Sequence, residues 1–311
     1  MSMSLLVKKA HQGVLLQDFG RFGLTHWGIT TGGPVDAYAY SWVNRLLNNR
    51  ANSSVIEITL GQTEIFVQHS AWFAIGGGNL DAQLDGHHIE NWSSFYARRG
   101  QTLRFNRPKN GLRAYLGVTG GFEVPQTLSS CSTVSRDRLG GLNGDGQHLK
   151  SGDTLNFAYP NSQQSSQRQF VSFRFIPDYE RPIFLRVIQG YQSNQFEKSA
   201  MSEFYNNEYT VSKDSNRMGY RFEGAEIASP SQGILSEGLA IGSIQITPKG
   251  LPIVMMADHQ TIGGYPKIGC VSQVDLPRLA QAKPGQKVYF QPGNLQELQD
   301  AWCRWALFFG Y

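Results

Sequence analysis

Apolar runs in this chain are short, and nearly all stop at a residue with unusual backbone freedom or restriction. Residues 54–59, 63–68, 71–75, 113–118 and 244–246 read as strands bounded by Gly, Pro, Asn or Asp. Glycine makes up 34 of the 311 residues, well above its usual share of ~7%. Charged residues are only 17%, against a usual ~25%. The pattern predicts a mostly β fold of many short strands joined by tight turns.

Two segments break it with helical spacing. Val35, Tyr38, Ala39, Trp42, Val43, Leu46 and Leu47 share one helical face, and Pro34 sits where a missing N–H costs nothing. Leu295, Leu298, Trp302, Trp305 and Phe309 form a second stripe, with Asn294 as N-cap and Glu297 three residues on. That stripe suits core or intersubunit contact better than a cofactor site. The length of 311 residues suggests two domains of ~150 residues. The polar, low-complexity stretch "PNSQQSSQRQ" (160–169) marks the boundary. We place an N-terminal β domain at 1–165 and a C-terminal β domain at 175–311. "LKSGDTLNF" (149–157) and "AKPGQKVYF" (282–290) each read as a glycine-bearing turn and a strand, a hint of related β units.

Several function classes are disfavoured. The net charge is only +4 and no long basic run exists, which argues against nucleic acid as a partner. Cys131, Cys270 and Cys303 are odd in number and far apart, as expected in a reducing compartment. No signal-length apolar core and no 18-residue apolar run occurs, so no membrane span is expected and the chain reads as cytoplasmic. There is no G-x-x-x-x-G-K-[ST], no zinc spacing, hence no metal site, and no G-x-S-x-G. The glycine-rich 76–86 reads as a hairpin turn rather than a dinucleotide loop. His87 and His88 are adjacent, so on a strand they face opposite ways.

Four clusters remain. In "QDFGRFGLTHWGITTGGPVD" (17–36) a long glycine-rich loop follows Gln17 and Asp18; Arg21 could grip a carboxylate or phosphate. Asp36 lies in the first turn of the next helix, where it serves either the dipole or a ligand. "SRDRLGGLNGDGQHLKSGD" (135–153) is a long polar loop with paired glycines. In "SNRMGYRFEG" (215–224) a strand would put Arg217, Gly219 and Arg221 on one face, leaving space between two cations; a solvated edge with unrelated arginines is the plainer alternative. Last, Gln245 is polar within an apolar strand, and 252–257 runs into Asp258, Gln260, Thr261, Gly263, Gly264, Tyr265 and Lys267. Paired glycines there can turn N–H groups towards an oxyanion.

Taken together, these runs resemble one family. Gln17-Asp18-x-Gly20-Arg21-x-Gly23, Asn44-Arg45-Leu46, Glu57-Ile58-Thr59-Leu60-Gly61, Gly120-Gly121 and Ser132-Thr133 are similar to its N-terminal half. Arg217-Met218-Gly219-Tyr220-Arg221, Ser236-Glu237-Gly238, Gln245 and Asp258-x-Gln260-Thr261-x-Gly263-Gly264-Tyr265-Pro266-Lys267 are similar to its C-terminal half. The family is the biotin-dependent carboxyltransferase / allophanate hydrolase subunit 2-like group, and the resemblance covers about residues 5–290. The chain departs from it at Ser129 and Asn48, where the family usually has Gly, and it carries no Met-Lys-Met biotin-carrier segment.

The resemblance implies two cyclophilin-like β-barrel domains with a few helices. It implies ATP-dependent opening of the lactam of 5-oxo-L-proline to L-glutamate. ATP would act at the level of a 5-oxoprolinase complex, in which a KipI-like B subunit and an A subunit are the partners. Alternatives are antagonism of a KipI-like kinase inhibitor, a carboxyltransferase-type role on urea-like amides, and, on fold alone, prolyl isomerisation. For the lactam reaction we expect Arg217 and Arg221 to take anionic groups. Gly263, Gly264 and Gln245 would hold the lactam oxygen, and Asp258 or Asp18 would act as base. Gln17, Arg21, Thr261, Tyr265 and Lys267 complete the expected binding set.

Overall fold

The computed structural model describes residues 3–158, 167–230 and 234–311. Strands dominate, and the described residues separate into two compact units. Unit 1 is Met1–Arg21, Gly32–Glu180 and Phe309–Tyr311; unit 2 is Phe22–Thr31 and Arg181–Phe308. Most of the boundary stretch 160–169 lies outside the described residues. Residues 167–180 belong to unit 1, where Val171 and Tyr179 are buried in its core.

Unit 1 has two antiparallel sheets. One has seven strands in the order Phe122–Glu123, Thr154–Phe157, Met3–Lys9, Thr63–Val67, Thr102–Phe105, Ala82–Leu84, His87–His88. The other has five: Val14–Gln17, Val55–Thr59, Asn110–Val118, Ala71–Asn79, Ser93–Ala97. Alternate residues of both, such as Leu5, Val7, Leu16, Ile58, Phe73 and Leu116, meet in one core.

The helix Ala37–Leu46 packs on the other side of the five-stranded sheet, burying Tyr40, Val43 and Leu46. Asp36 is its N-cap, with the carboxylate accepting from Ala39 N at 2.9 Å; it stands just before the first turn rather than in it. The triple glycine 76–78 is strand interior, not a hairpin turn. A Cβ on Gly76 would come within 3.1 Å of Val43, and one on Gly117 within 2.5 Å, so these glycines let the helix approach the sheet.

Unit 2 holds a closed seven-stranded barrel: Ile183–Ile188, Lys267–Val271, Ser243–Ile246, Pro252–Met255, Gly219–Gly224, Tyr209–Val211, Lys287–Pro292. Its one parallel pairing, Ile183–Ile188 with Lys287–Pro292, closes the ring. Phe204, Tyr209, Phe222 and Phe290 pack ring on ring, with centroids 4.6 to 6.2 Å apart. The helix Leu295–Phe309 is capped by Asn294, whose Oδ1 accepts from Glu297 N at 3.2 Å, and fully buries only Leu298. No helix among the described residues is long and apolar enough to cross a membrane.

Candidate functional site

Four of the second-half residues expected at a site, Gln245, Gly263, Tyr265 and Lys267, gather on the outer face of the unit 2 barrel. Ile244, Ile246 and Val254 are fully buried; by strand alternation Ser243, Gln245, Ile253 and Met255 point the other way. The register sets Arg221, Ile253, Gln245 and Lys267 in one row across four adjacent strands.

Pro252–Met255 and Lys267–Val271 flank Ser243–Ile246, both antiparallel to it. They therefore run the same way, and residues 256–266 must return the chain from the end of one to the start of the other. This return lies close over the outer face. Ile262–Gly263 pairs with Glu237–Gly238, and Leu239, Ile253 and Met255 form a small apolar cluster. Gln245 donates to the Tyr265 carbonyl at 3.2 Å. A Cβ on Gly263 would sit 2.8 Å from both Gln245 Nε2 and Leu239 Cδ1. The density of polar and glycine residues after Met255 thus has a physical origin: a crossover pressed onto a strand needs a residue without a side chain where it crosses, and partners for its backbone.

Lys267 ends the return inside a closed network. Its ammonium contacts the Glu237 carboxylate and reaches Gly238 O at 3.3 Å and Tyr191 Oη at 3.4 Å. Glu237 also accepts from Tyr191 Oη and Gln192 Nε2, each at 2.5 Å. Gln192 Oε1 accepts from the Lys267 backbone N–H at 2.8 Å. The Lys267 bond, then the Tyr191 hydroxyl, hold the Glu237 carboxyl below the usual glutamate range. Tyr191 and Gln192 carry no motif, so sequence reasoning misses them; Glu237 stands in a family run without a role.

Arg217 and Asp258 pair with each other. The guanidinium donates through Nε at 2.7 Å and Nη2 at 2.8 Å to the two carboxylate oxygens, and Asp258 N donates to Arg217 O at 2.9 Å. The expected face with Arg217 and Arg221 about an open space is corrected. The strand begins only at Gly219, because Asn216 Oδ1 takes the Met218 N–H at 2.8 Å and bends the chain. Arg221 is exposed and stands two strands from Gln245, ~10 Å at the usual spacing. Thr261 is buried and its carbonyl accepts from Leu239 N; the Gly264 carbonyl accepts from Ile234 N.

Gln17, Asp18 and Arg21 lie in unit 1 and organise a loop. Asp18 accepts from Ser130 Oγ, Ser132 Oγ, Cys131 N and Gly20 N at 2.5 to 3.0 Å. Arg21 donates to the carbonyls of Thr127, Ser132 and Ser130 at 2.8 to 3.1 Å, partners that carry no full negative charge. Gln17 is fully buried and donates to Thr133 O. Burial, then the Asp18 charge, push the Cys131 thiol far above its ordinary range. The next segment, Phe22–Thr31, belongs to unit 2, where Thr30 Oγ1 donates to His259 O at 3.4 Å.

The structure therefore brings Gln245, Gly263, Tyr265 and Lys267 together, sets Arg217 on Asp258, and commits Asp18 and Arg21 to the 127–133 loop. Residues 27–292 match the family model described as carboxyltransferase domain, subdomain A and B. The chain is 34% identical over 294 residues to the C subunit of 5-oxoprolinase from Escherichia coli (strain K12), covering 94% of this chain and 92% of that protein. It is 37% identical over 284 residues to the corresponding C subunit from Haemophilus influenzae, covering 91% and 89%. Among solved structures, TTHA0988 superposes with a TM-score of 0.84 at 30% identity over 93% of this chain, which spans 56% of that longer chain.

Proposed function

The chain belongs to the carboxyltransferase domain family, subdomains A and B, and from that premise we propose that it serves as one component of an ATP-dependent 5-oxoprolinase. The assembly would open the lactam of 5-oxo-L-proline to L-glutamate, with a KipI-like B subunit and an A subunit completing it. The observation that carries this reading is the similarity, nearly end to end, to two proteins named as the C subunit of 5-oxoprolinase.

Opening an amide ring needs donors on the carbonyl oxygen as it gains charge, and a proton for the leaving nitrogen. Lys267 is the donor best placed for the oxygen, since its contacts to Gly238 O and Tyr191 Oη are long and can be exchanged for a ligand atom. Gln245 holds the Tyr265 carbonyl, and with it the return segment that ends at Lys267. Asp18 and Asp258 hold loops in this reading rather than acting as base. Of the arginines expected to hold anions, Arg21 is committed to carbonyls and Arg217 to a carboxylate, while Arg221 is exposed.

The test is reconstitution. Mixed with its companion subunits, the chain should support phosphate release that depends on 5-oxoproline, and Lys267→Gln should lower kcat about 100-fold without unfolding the chain. Phosphate release indifferent to 5-oxoproline would sink the reading and favour a regulatory binding protein.

A further inference from the structure

Tyr191 is exposed over 70% of its surface, yet its side chain is not free to move. The hydroxyl donates to Glu237 at 2.5 Å and accepts from Lys267 at 3.4 Å, and the Lys267 ammonium stands 5.5 Å from the ring centroid. The next residue, Gln192, is buried and bonded to both Glu237 and the Lys267 backbone, so the turn carrying the ring is tied to the same network. A surface tyrosine ordinarily keeps its rotamer freedom; this one is fixed by its polar tip while its ring meets solvent.

We infer that Tyr191 is a substrate-contact residue, a flat platform on which a small planar cyclic amide lies with its carbonyl oxygen towards Lys267. This rests on the lactam-opening function proposed above. The physical case has two parts. An immobilised ring gives up no rotamer entropy on binding, so its stacking contributes in full. The Glu237 carboxylate already neutralises Lys267, which disfavours a ligand carboxylate at the ammonium and favours an uncharged acceptor such as an amide oxygen. The amide face, not the acid group, is therefore what this part of the site recognises.

The experiment uses the reconstituted complex with 5-oxoproline as the variable substrate. Tyr191→Ala should raise KM about five- to tenfold with kcat little changed, the signature of lost uniform binding. Tyr191→Phe keeps the ring but loses the bond that fixes it, and should recover part of that loss. Thermal melting of both variants checks that the chain stays folded. An active complex in which Tyr191→Ala leaves KM unchanged overturns the platform while leaving the proposed function standing. Equal KM losses for Phe and Ala would show that the hydroxyl matters rather than the ring, and overturn it too. A wild-type complex with no response to 5-oxoproline removes the function first, and the platform with it.

Discussion

Ser129 and Asn48, where the family resemblance leads one to expect glycine, both have left-handed backbone, φ 64° and 51°. Asparagine tolerates that region; serine does so at a cost. Ser129 also sits next to the loop that Asp18 and Arg21 hold through Ser130, Cys131 and Ser132, so its strain is locked in by its neighbours. Ser129→Gly should raise the free energy of unfolding by about 0.5–1 kcal/mol, and Asn48→Gly by less. Denaturant midpoints at unchanged m-value measure this; a midpoint that falls for Ser129→Gly would refute the strain. At this scale the residue types are readable from sequence and their partners are not. Asp18 and Arg21 look like site residues because acid, base and glycine stand close in sequence, but what they bind lies more than a hundred positions away. Arg217 and Asp258 both stand out in the sequence, for separate roles, since nothing local to either says that they meet.

The return segment 256–266 and its partner Glu237–Gly238 form the element most tied to the site. Its far end is held by the Lys267–Glu237 contact. Because the Glu237 carboxyl titrates below its ordinary value of 4.5 in the fold, the contact stabilises fully above that value and is lost as pH falls through the depressed one. The melting temperature of the wild type should exceed that of Glu237→Gln at neutral pH, and the gap should close as pH drops below about 4.5. A gap that stays constant into acid would show that the charge is not what holds the element. Elements are legible where one local period dominates: the short strands, the helix after Pro34 and the helix after Asn294 all stand where spacing places them. The triple glycine 76–78 is not, because three glycines in a row look like a turn. Gly76 among them admits Val43, a residue of a different element. The crowding after Met255 likewise answers to another element, because the crossover passes over Gln245.

For the whole molecule, the notable fact is that neither unit is one continuous stretch. The polypeptide passes from one unit to the other after Arg21, Thr31, Glu180 and Phe308. Pieces cut at 1–165 and 175–311 should therefore not fold alone. The first lacks Val171 and Tyr179, both buried in the unit 1 core, and the second lacks Phe22–Thr31. Near-UV circular dichroism of each piece should show little tertiary signal, with recovery on mixing; a native-like spectrum from either piece alone would contradict this.

The membership of Phe309–Tyr311 in unit 1 also bears on how the protein is made. Phe309 packs against Tyr38 and Trp42, and Tyr311 against Phe19, all residues from the start of the chain. At about 5–20 residues per second, the ribosome reaches those aromatics several seconds after it has made Glu180, where the preceding segment of unit 1 stops. Throughout that interval Phe19, Tyr38 and Trp42 lack these rings, so the aromatic cluster of unit 1 is completed only after the unit 2 segment Arg181–Phe308 has been made.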